Sequence, residues 1–243
     1  MNKTVLPNGL STPNGLFAES RSGESDEDRE HALVRIVDDN AETCASLKFF
    51  LESLGFFVET WTDPLRFLDE WRSDQRPGCV LLDVRMPGMS GLELLDKLMA
   101  EHCGLPILFL TGHGDVEMAV RALKRGAVDF LLKPPEEKKI VDAVEKAVSL
   151  GVRLFRENAE AKIVLDRWNE LTAREQDVML LVAKGLMNKQ IADLLGISEK
   201  TVQQHRGSAC RKLDLRNAVE AAAYLAEVRE AEKHLDAGRK GEA

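Results

Sequence analysis

Residues 1–31 carry no apolar period. They are turn-formers and acids, with Pro-Asn-Gly-Leu occurring twice, from Pro7 and from Pro13. Such a stretch buries too little apolar surface to order itself and is expected to be a disordered tail. From Leu33 onward, short continuous apolar runs alternate with helical periodicity. The runs Leu33–Val37, Phe57–Trp61, Cys79–Leu82, Ile107–Leu110 and Asp129–Leu132 have the length of strands covered on both faces. Between them apolar residues recur three and four apart: Leu47, Phe50, Leu51 and Leu54, then Phe67, Leu68 and Trp71. Leu95, Leu98 and Met99 mark a third helix, and Val116, Ala119, Val120 and Leu123 a fourth. Asp63-Pro64 reads as an N-cap followed by proline at the first helical position. A fifth helix starts near Pro135 and keeps its period through Ile140, Val141, Val144 and Val148. Five βα repeats with short loops predict a doubly wound, five-stranded parallel sheet over residues 32–150, with functional residues at the carboxyl ends of its strands.

Charged and small residues then form a linker over 151–167, helical in part. A small all-α domain follows over 168–230, with Thr172-Ala-Arg-Glu175 fitting a capping box. Helices are expected at 173–183, 188–195, 199–213 and 217–228, punctuated by Gly185 and Gly196, and residues 231–243 as a flexible tail. On a helical projection of 199–213, Val202, Ala209 and Leu213 share one side. Lys200, Gln203, Gln204, Gly207, Ser208 and Arg211 fall on the other, with His205 and Arg206 at the margins. Together with 188–195, the tight turn at Gly196 and a cap at Ser198, this reads as a helix-turn-helix. Spacing alone also admits an ordinary helical hairpin with a solvated face.

Net charge changes the picture only once it is divided. The whole chain carries −8, but residues 31–150 carry −6 and residues 198–216 an excess of +3. A chain acidic overall thus holds a basic segment suited to nucleic acid. Cys44, Cys79, Cys103 and Cys210 are too scattered for a zinc site or a disulfide framework, which fits a reducing compartment. No apolar run reaches the length of a membrane span or a signal core, so the chain is expected to be cytoplasmic.

The candidate chemistry stands at the strand ends. Asp38 and Asp39 follow the first strand, Asp83 the third, Thr111 the fourth and Lys133 the fifth. Three carboxylates brought together repel one another unless a cation sits among them, and an all-oxygen set suits Mg2+. One carboxylate could then act as nucleophile toward a phosphoryl group, with Thr111 and Lys133 meeting its oxygens. A rival reading, an aspartyl-phosphate phosphohydrolase, needs a second Asp two residues after the nucleophile. Arg85 stands there.

Ile36-Val-Asp-Asp39, Leu81-Leu-Asp-Val-Arg-Met-Pro-Gly-Met-Ser-Gly91, Thr111-Gly-His-Gly-Asp-Val116 and Gly126-Ala-Val-Asp-Phe-Leu-Leu-Lys-Pro134 resemble a bacterial response-regulator receiver domain, a flavodoxin-like fold. The resemblance implies that Asp83 accepts phosphate from a sensor histidine kinase and that Asp38 and Asp39 hold Mg2+. Asp83 and the backbone carbonyl of Arg85 would complete the metal's protein ligands. It further implies a switch aromatic at Phe130, a cis Lys133-Pro134 bond and no catalytic role for His113. Pro135 departs from the family, where a bulky apolar residue is common. Leu171-Thr-x-x-Glu175, Asn188-Lys-x-Ile-Ala192 and Leu195-Gly-Ile-Ser-Glu-Lys-Thr-Val-x-x-His-Arg206, ending in Lys212-Leu213, resemble the LuxR-type helix-turn-helix. Together the two parts are similar to FixJ-like regulators of the NarL/FixJ family. That resemblance implies base contacts from Gln203, Gln204 and Gly207 and phosphate contacts from Lys200, Thr201, Arg206 and Arg211, with Asn188 and Lys189 reaching the DNA backbone from the neighbouring helix. It also implies homodimerisation on phosphorylation through the surface 115–148, and RNA polymerase as a partner. Val120 and the apolar edge of helix 136–148 are the interface candidates. A receiver whose helical domain binds protein or RNA is the competing class.

Overall fold

The computed structural model describes residues 31–112 and 116–239. The two Pro-Asn-Gly-Leu copies and His113 lie outside the described residues. Five strands form one sheet: β1 Leu33–Val37, β2 Phe57–Trp61, β3 Gly78–Leu82, β4 Ile107–Thr111 and β5 Asp129–Leu132. Their order is β2-β1-β3-β4-β5 and every neighbouring pair is parallel. The connecting helices are α1 Ala41–Ser53, α2 Pro64–Glu70, α3 Gly91–Ala100 and α4 Val116–Lys124, followed by α5 Glu137–Asn169.

Successive side chains of a strand point to opposite faces, so each apolar run feeds two cores. Val34, Ile36, Cys79, Leu81, Leu108 and Leu110 pack with α1 and α5. Val37, Val80, Leu82, Ile107 and Phe109 pack with α2, α3 and α4. Every residue of β1, β3 and β4 is buried, while the edge strands β2 and β5 are partly exposed. Arg35 breaks the apolar pattern. It is 1% exposed in the middle of β1, and its guanidinium donates to the carbonyl oxygens of Asp74 at 3.1 Å and Arg76 at 3.0 Å. Burial lowers its pKa, with the Asp74 carboxylate opposing. The pinned loop leads directly into β3.

Helix α5 begins at Glu137, two residues beyond the expected start. It then runs unbroken for 33 residues, so the stretch expected to be a partly helical linker is wholly helical. Gly151 explains how it stays against the sheet: a Cβ there would lie 2.0 Å from the carbonyl oxygen of Gly78. Beyond α5 come α6 Ala173–Val182, α7 Asn188–Leu195, α8 Glu199–Leu213 and α9 Ala218–Arg239. Thr172 and Glu175 form the expected capping box of α6, and Ser198 caps α8. Gly196, at φ 65°, closes α7 in the left-handed conformation that makes the turn.

The tail expected from residue 231 is instead helical to Arg239. Tyr224, Leu225, Val228 and Ala231 form a buried stripe along α9, and Val164, Leu165 and Trp168 of α5 belong to the same core. The Tyr224 hydroxyl donates to the carbonyl oxygen of Val164 at 2.9 Å. Packing against α5 thus anchors α9 as far as Ala231, and the good helix formers beyond it, among them Glu232, Lys233 and Leu235, carry the helix on.

Candidate functional site

The crevice forms where the parallel strands end. Asp38 leaves β1 and Asp83 leaves β3, and the backbone N–H of Asp83 donates to the carbonyl oxygen of Val37 at 2.9 Å. That ladder bond places the two carboxylates side by side. Lys133, the residue after β5, is anchored by its own N–H on the carbonyl oxygen of Thr111 at 2.8 Å. Its ammonium reaches back across the strand ends to pair with Asp38 and, at 3.0 Å, with Asp83 Oδ1. Asp38, Asp83 and Thr111 are 2%, 7% and 1% exposed, whereas Asp39 stands in solvent. One oxygen from each of Asp38, Asp39 and Asp83 lies within 4.8 Å of the others.

Backbone donors fix the remaining oxygens. The Asn40 N–H donates to Asp38 Oδ1 at 3.0 Å and the Arg85 N–H to Asp83 Oδ2 at 3.0 Å. Burial alone would lower the Lys133 pKa, but its hydrogen bonds to Asp38 and Asp83, with their charges, raise it above the ordinary lysine value. Lys133 is thus held as a cation. Three carboxylates against one ammonium still leave excess negative charge in a largely buried cleft, and the donors are all oxygen. That set fits a small hard divalent cation such as Mg2+. The Lys133-Pro134 bond is cis. Phe130 is half-buried with its ring 6.5 Å from that of Phe109.

Sequence reasoning did not pick out Asn40 or Cys44. Asn40 caps α1 through its side chain while its N–H holds Asp38. The buried Cys44 thiol donates to the carbonyl oxygen of Asp38 at 3.3 Å, and burial together with the Asp38 charge pushes its pKa up to about 11. An Asn at an N-cap two residues after the first Asp was the available signal for the former. Nothing local marks the latter.

In the C-terminal part, Val202, Ala209 and Leu213 of α8 are buried, as expected. Lys189, Lys200, Gln203, Gln204, Gly207 and Arg211 are exposed, while Asn188, Thr201 and Arg206 are half-buried. Arg206 donates to Asn188 Oδ1 at 3.1 Å, which ties α8 to α7. The Thr201 hydroxyl pairs with that of Ser198 at 2.8 Å. Lys212 turns away from this face. Its ammonium meets Glu175 Oε2 at 2.7 Å and the carbonyl oxygen of Glu170 at 3.1 Å. Burial would raise the pKa of Glu175, but hydrogen bonds from Lys212, Ser208 and Thr172 overcome it and hold the carboxyl at about 2. Ser208, assigned by its spacing to the polar face, therefore serves the interior.

The fold and its crevice define a receiver-type signalling domain, joined by one helix to a helix-turn-helix module. Comparison with known families agrees. Residues 34–145 match the response regulator receiver domain, and residues 169–225 match the luxR family of bacterial regulatory proteins. The C4-dicarboxylate transport transcriptional regulatory protein DctR of Rhodobacter capsulatus is 44% identical over 78% of this chain and 96% of its own. The transcriptional regulatory protein FixJ of Bradyrhizobium diazoefficiens is 40% identical over 74% of this chain and 87% of its own. Among solved structures, the response regulator StyR superposes with a TM-score of 0.72 at 41% identity, covering 81% of this chain and 99% of that one. The chain belongs to the NarL/FixJ-type response regulators, the transcriptional regulators of two-component systems that join a receiver to a LuxR-type DNA-binding domain. No described helix is long and apolar enough to cross a membrane.

Proposed function

We propose that Asp83 is the phosphoacceptor of this regulator and that its phosphorylation by a sensor histidine kinase controls DNA binding by α8. The observation that carries the reading is the ammonium of Lys133 shared between Asp38 and Asp83, which gathers the ends of β1, β3 and β5 into one crevice. A carboxylate oxygen of Asp83 attacks the phosphorus of a phosphohistidine, the P–N bond breaks and the imidazole leaves. Asp38, Asp39, Asp83 and the backbone carbonyl of Arg85 would hold Mg2+, which supplies positive charge to the phosphoryl oxygens when bound. Lys133 pairs with one phosphoryl oxygen and Thr111 hydrogen-bonds another. Phe130, half-buried against Phe109, would follow Thr111 inward.

Dimerisation through the α4–β5 surface is supported by its exposed apolar residues: Val120 at 43%, Leu123 at 48%, Val128 at 40% and Leu132 at 55%. The apolar edge of helix 136–148 does not serve, because Ile140, Val144 and Val148 lie in the receiver core. In the dimer, Gln203, Gln204 and Gly207 face base edges. Lys200, Thr201, Arg206 and Arg211, with Asn188 and Lys189 from α7, meet phosphates. The protein acts in the cytoplasm on promoters read by RNA polymerase. Recovery of bound genomic DNA with and without a phosphoryl donor tests the reading. A discrete set of sequences enriched only with the donor is expected, and recovery of RNA or protein partners in place of duplex DNA would overturn it.

A further inference from the structure

Gly151 and Gly207 both lie inside helices, and they differ in what explains them. At Gly151 in α5, a Cβ would stand 2.0 Å from the carbonyl oxygen of Gly78, so the fold admits no side chain. At Gly207, in the body of α8, a Cβ would meet nothing within 4 Å. The residue sits in ordinary right-handed helix, well short of the C-cap at Asp214. Neither packing, backbone conformation nor capping calls for glycine here. Glycine is the poorest helix former after proline, since its backbone loses the most freedom on ordering. The fold therefore gains nothing from it. Gln203, Gln204 and Arg211 lie three and four residues away on the same exposed face.

We propose that Gly207 is a specificity determinant, its missing Cβ admitting the C5-methyl of one thymine against the α8 backbone in the major groove of duplex DNA. The inference rests on the DNA-binding reading above. In a helix interior the N–H and C=O of Gly207 are already paired within the helix, so neither is left to read the polar edge of a base. What remains at its Cα is a small apolar surface. The thymine methyl is the apolar group that a base pair presents in the major groove. With the helix seated this deeply, Gln203 and Gln204 reach the polar edges of the adjoining pairs directly.

The test uses the full chain, treated with acetyl phosphate and Mg2+, to select duplexes from a randomised pool. The recovered sequence is then resynthesised with each thymine in turn replaced by deoxyuridine, which lacks only that methyl. At one position the replacement is expected to weaken binding about fourfold, the transfer value of one methyl group. Gly207→Ala should bind the thymine duplex about tenfold more weakly, as for an overpacked contact. It should recover on the deoxyuridine duplex, where its own methyl fills the space. Its C-terminal domain should melt about 4–8 °C higher, so that unfolding does not account for the loss. Equal binding of both duplexes by Gly207→Ala at the unaltered affinity would overturn the inference, as would equal weakening of both. Failure of the unaltered chain to bind any duplex in a salt-sensitive manner is a different result, which removes the DNA-binding reading itself.

Discussion

The receiver crevice and the exposed face of α8 are both polar sites, but their charges are answered in opposite places. In the crevice Asp38 and Asp83 are buried, and Lys133 with the N–H groups of Asn40 and Arg85 answers them from within the fold. On α8, Lys200, Gln203, Gln204 and Arg211 stand in solvent. A buried charge without a partner is too costly to keep, so the crevice must carry its own compensation and its chemistry can be read from the chain. An exposed side chain costs the fold little, and its answer lies on the partner. The helix-turn-helix does hold one buried charge, Glu175, and there the fold again supplies the answer from Lys212.

The contrast is broken most forcefully at Lys133. A swing from about 1% to 99% active needs the phosphorylated state favoured by roughly 5.5 kcal/mol, and Lys133 is the crevice's internal cation. Lys133→Met is expected to abolish most of the gain in duplex affinity produced by a phosphoryl donor, measured with and without donor in Mg2+. An undiminished gain would mean that Asp38 and Asp83 need no such partner.

A smaller effect is expected at Glu175. Its folded pKa of about 2 lies below the ordinary value of 4.5. Its contribution is therefore complete above about pH 5 and fades as the pH falls toward 2, worth roughly 3 kcal/mol across that window. Urea unfolding of the C-terminal domain should show this acid slope, and Glu175→Gln should flatten it. Lys212→Met should destabilise the domain at pH 7, because it strands a buried carboxylate. Equal slopes in Glu175→Gln and the unaltered chain would remove Glu175 from the account.

The exposed face gives the mildest and most local response. Gln204→Ala should reduce discrimination at one base pair by about 1–3 kcal/mol and leave folding unchanged. A uniform loss across all sequences would instead make Gln204 a backbone-contacting or folding residue. Quantitative binding to duplexes varied at single positions separates the two.

What the sequence revealed follows the same division. The five strands and the crevice residues Asp38, Asp39, Asp83, Thr111 and Lys133 were legible because the central parallel strands are written as apolar runs and the chemistry gathers at carboxyl ends, just past β1, β3 and β5 and on the last residue of β4. Arg35 was not flagged, since its partners, the carbonyls of Asp74 and Arg76, lie about forty residues away in the chain. The caps at Asp63, Thr172 and Ser198 were legible because capping is a local matter. The end of α9 was missed although the helix formers Glu230, Glu232, Lys233 and Leu235 stood there to be read. The extent of α5 was not legible, because it is prolonged by packing against α9 around Trp168 and Tyr224. For the same reason the apolar edge of helix 136–148 was an interface candidate, although Ile140 and Val144 on that helix lie in the receiver core: periodicity shows that a face is apolar without showing what covers it.

The proposed phosphoryl transfer to Asp83 is the step on which every other depends. Intact-mass and peptide-level analysis of the full chain after incubation with acetyl phosphate and Mg2+ tests it most directly. One added phosphoryl group, stable to acid, labile to base and confined to the peptide holding Asp83, is the expected result, and Asp83→Asn should take up none. Stoichiometric labelling of Asp83→Asn, or a phosphoryl group found on another residue of the unaltered chain, would contradict the account.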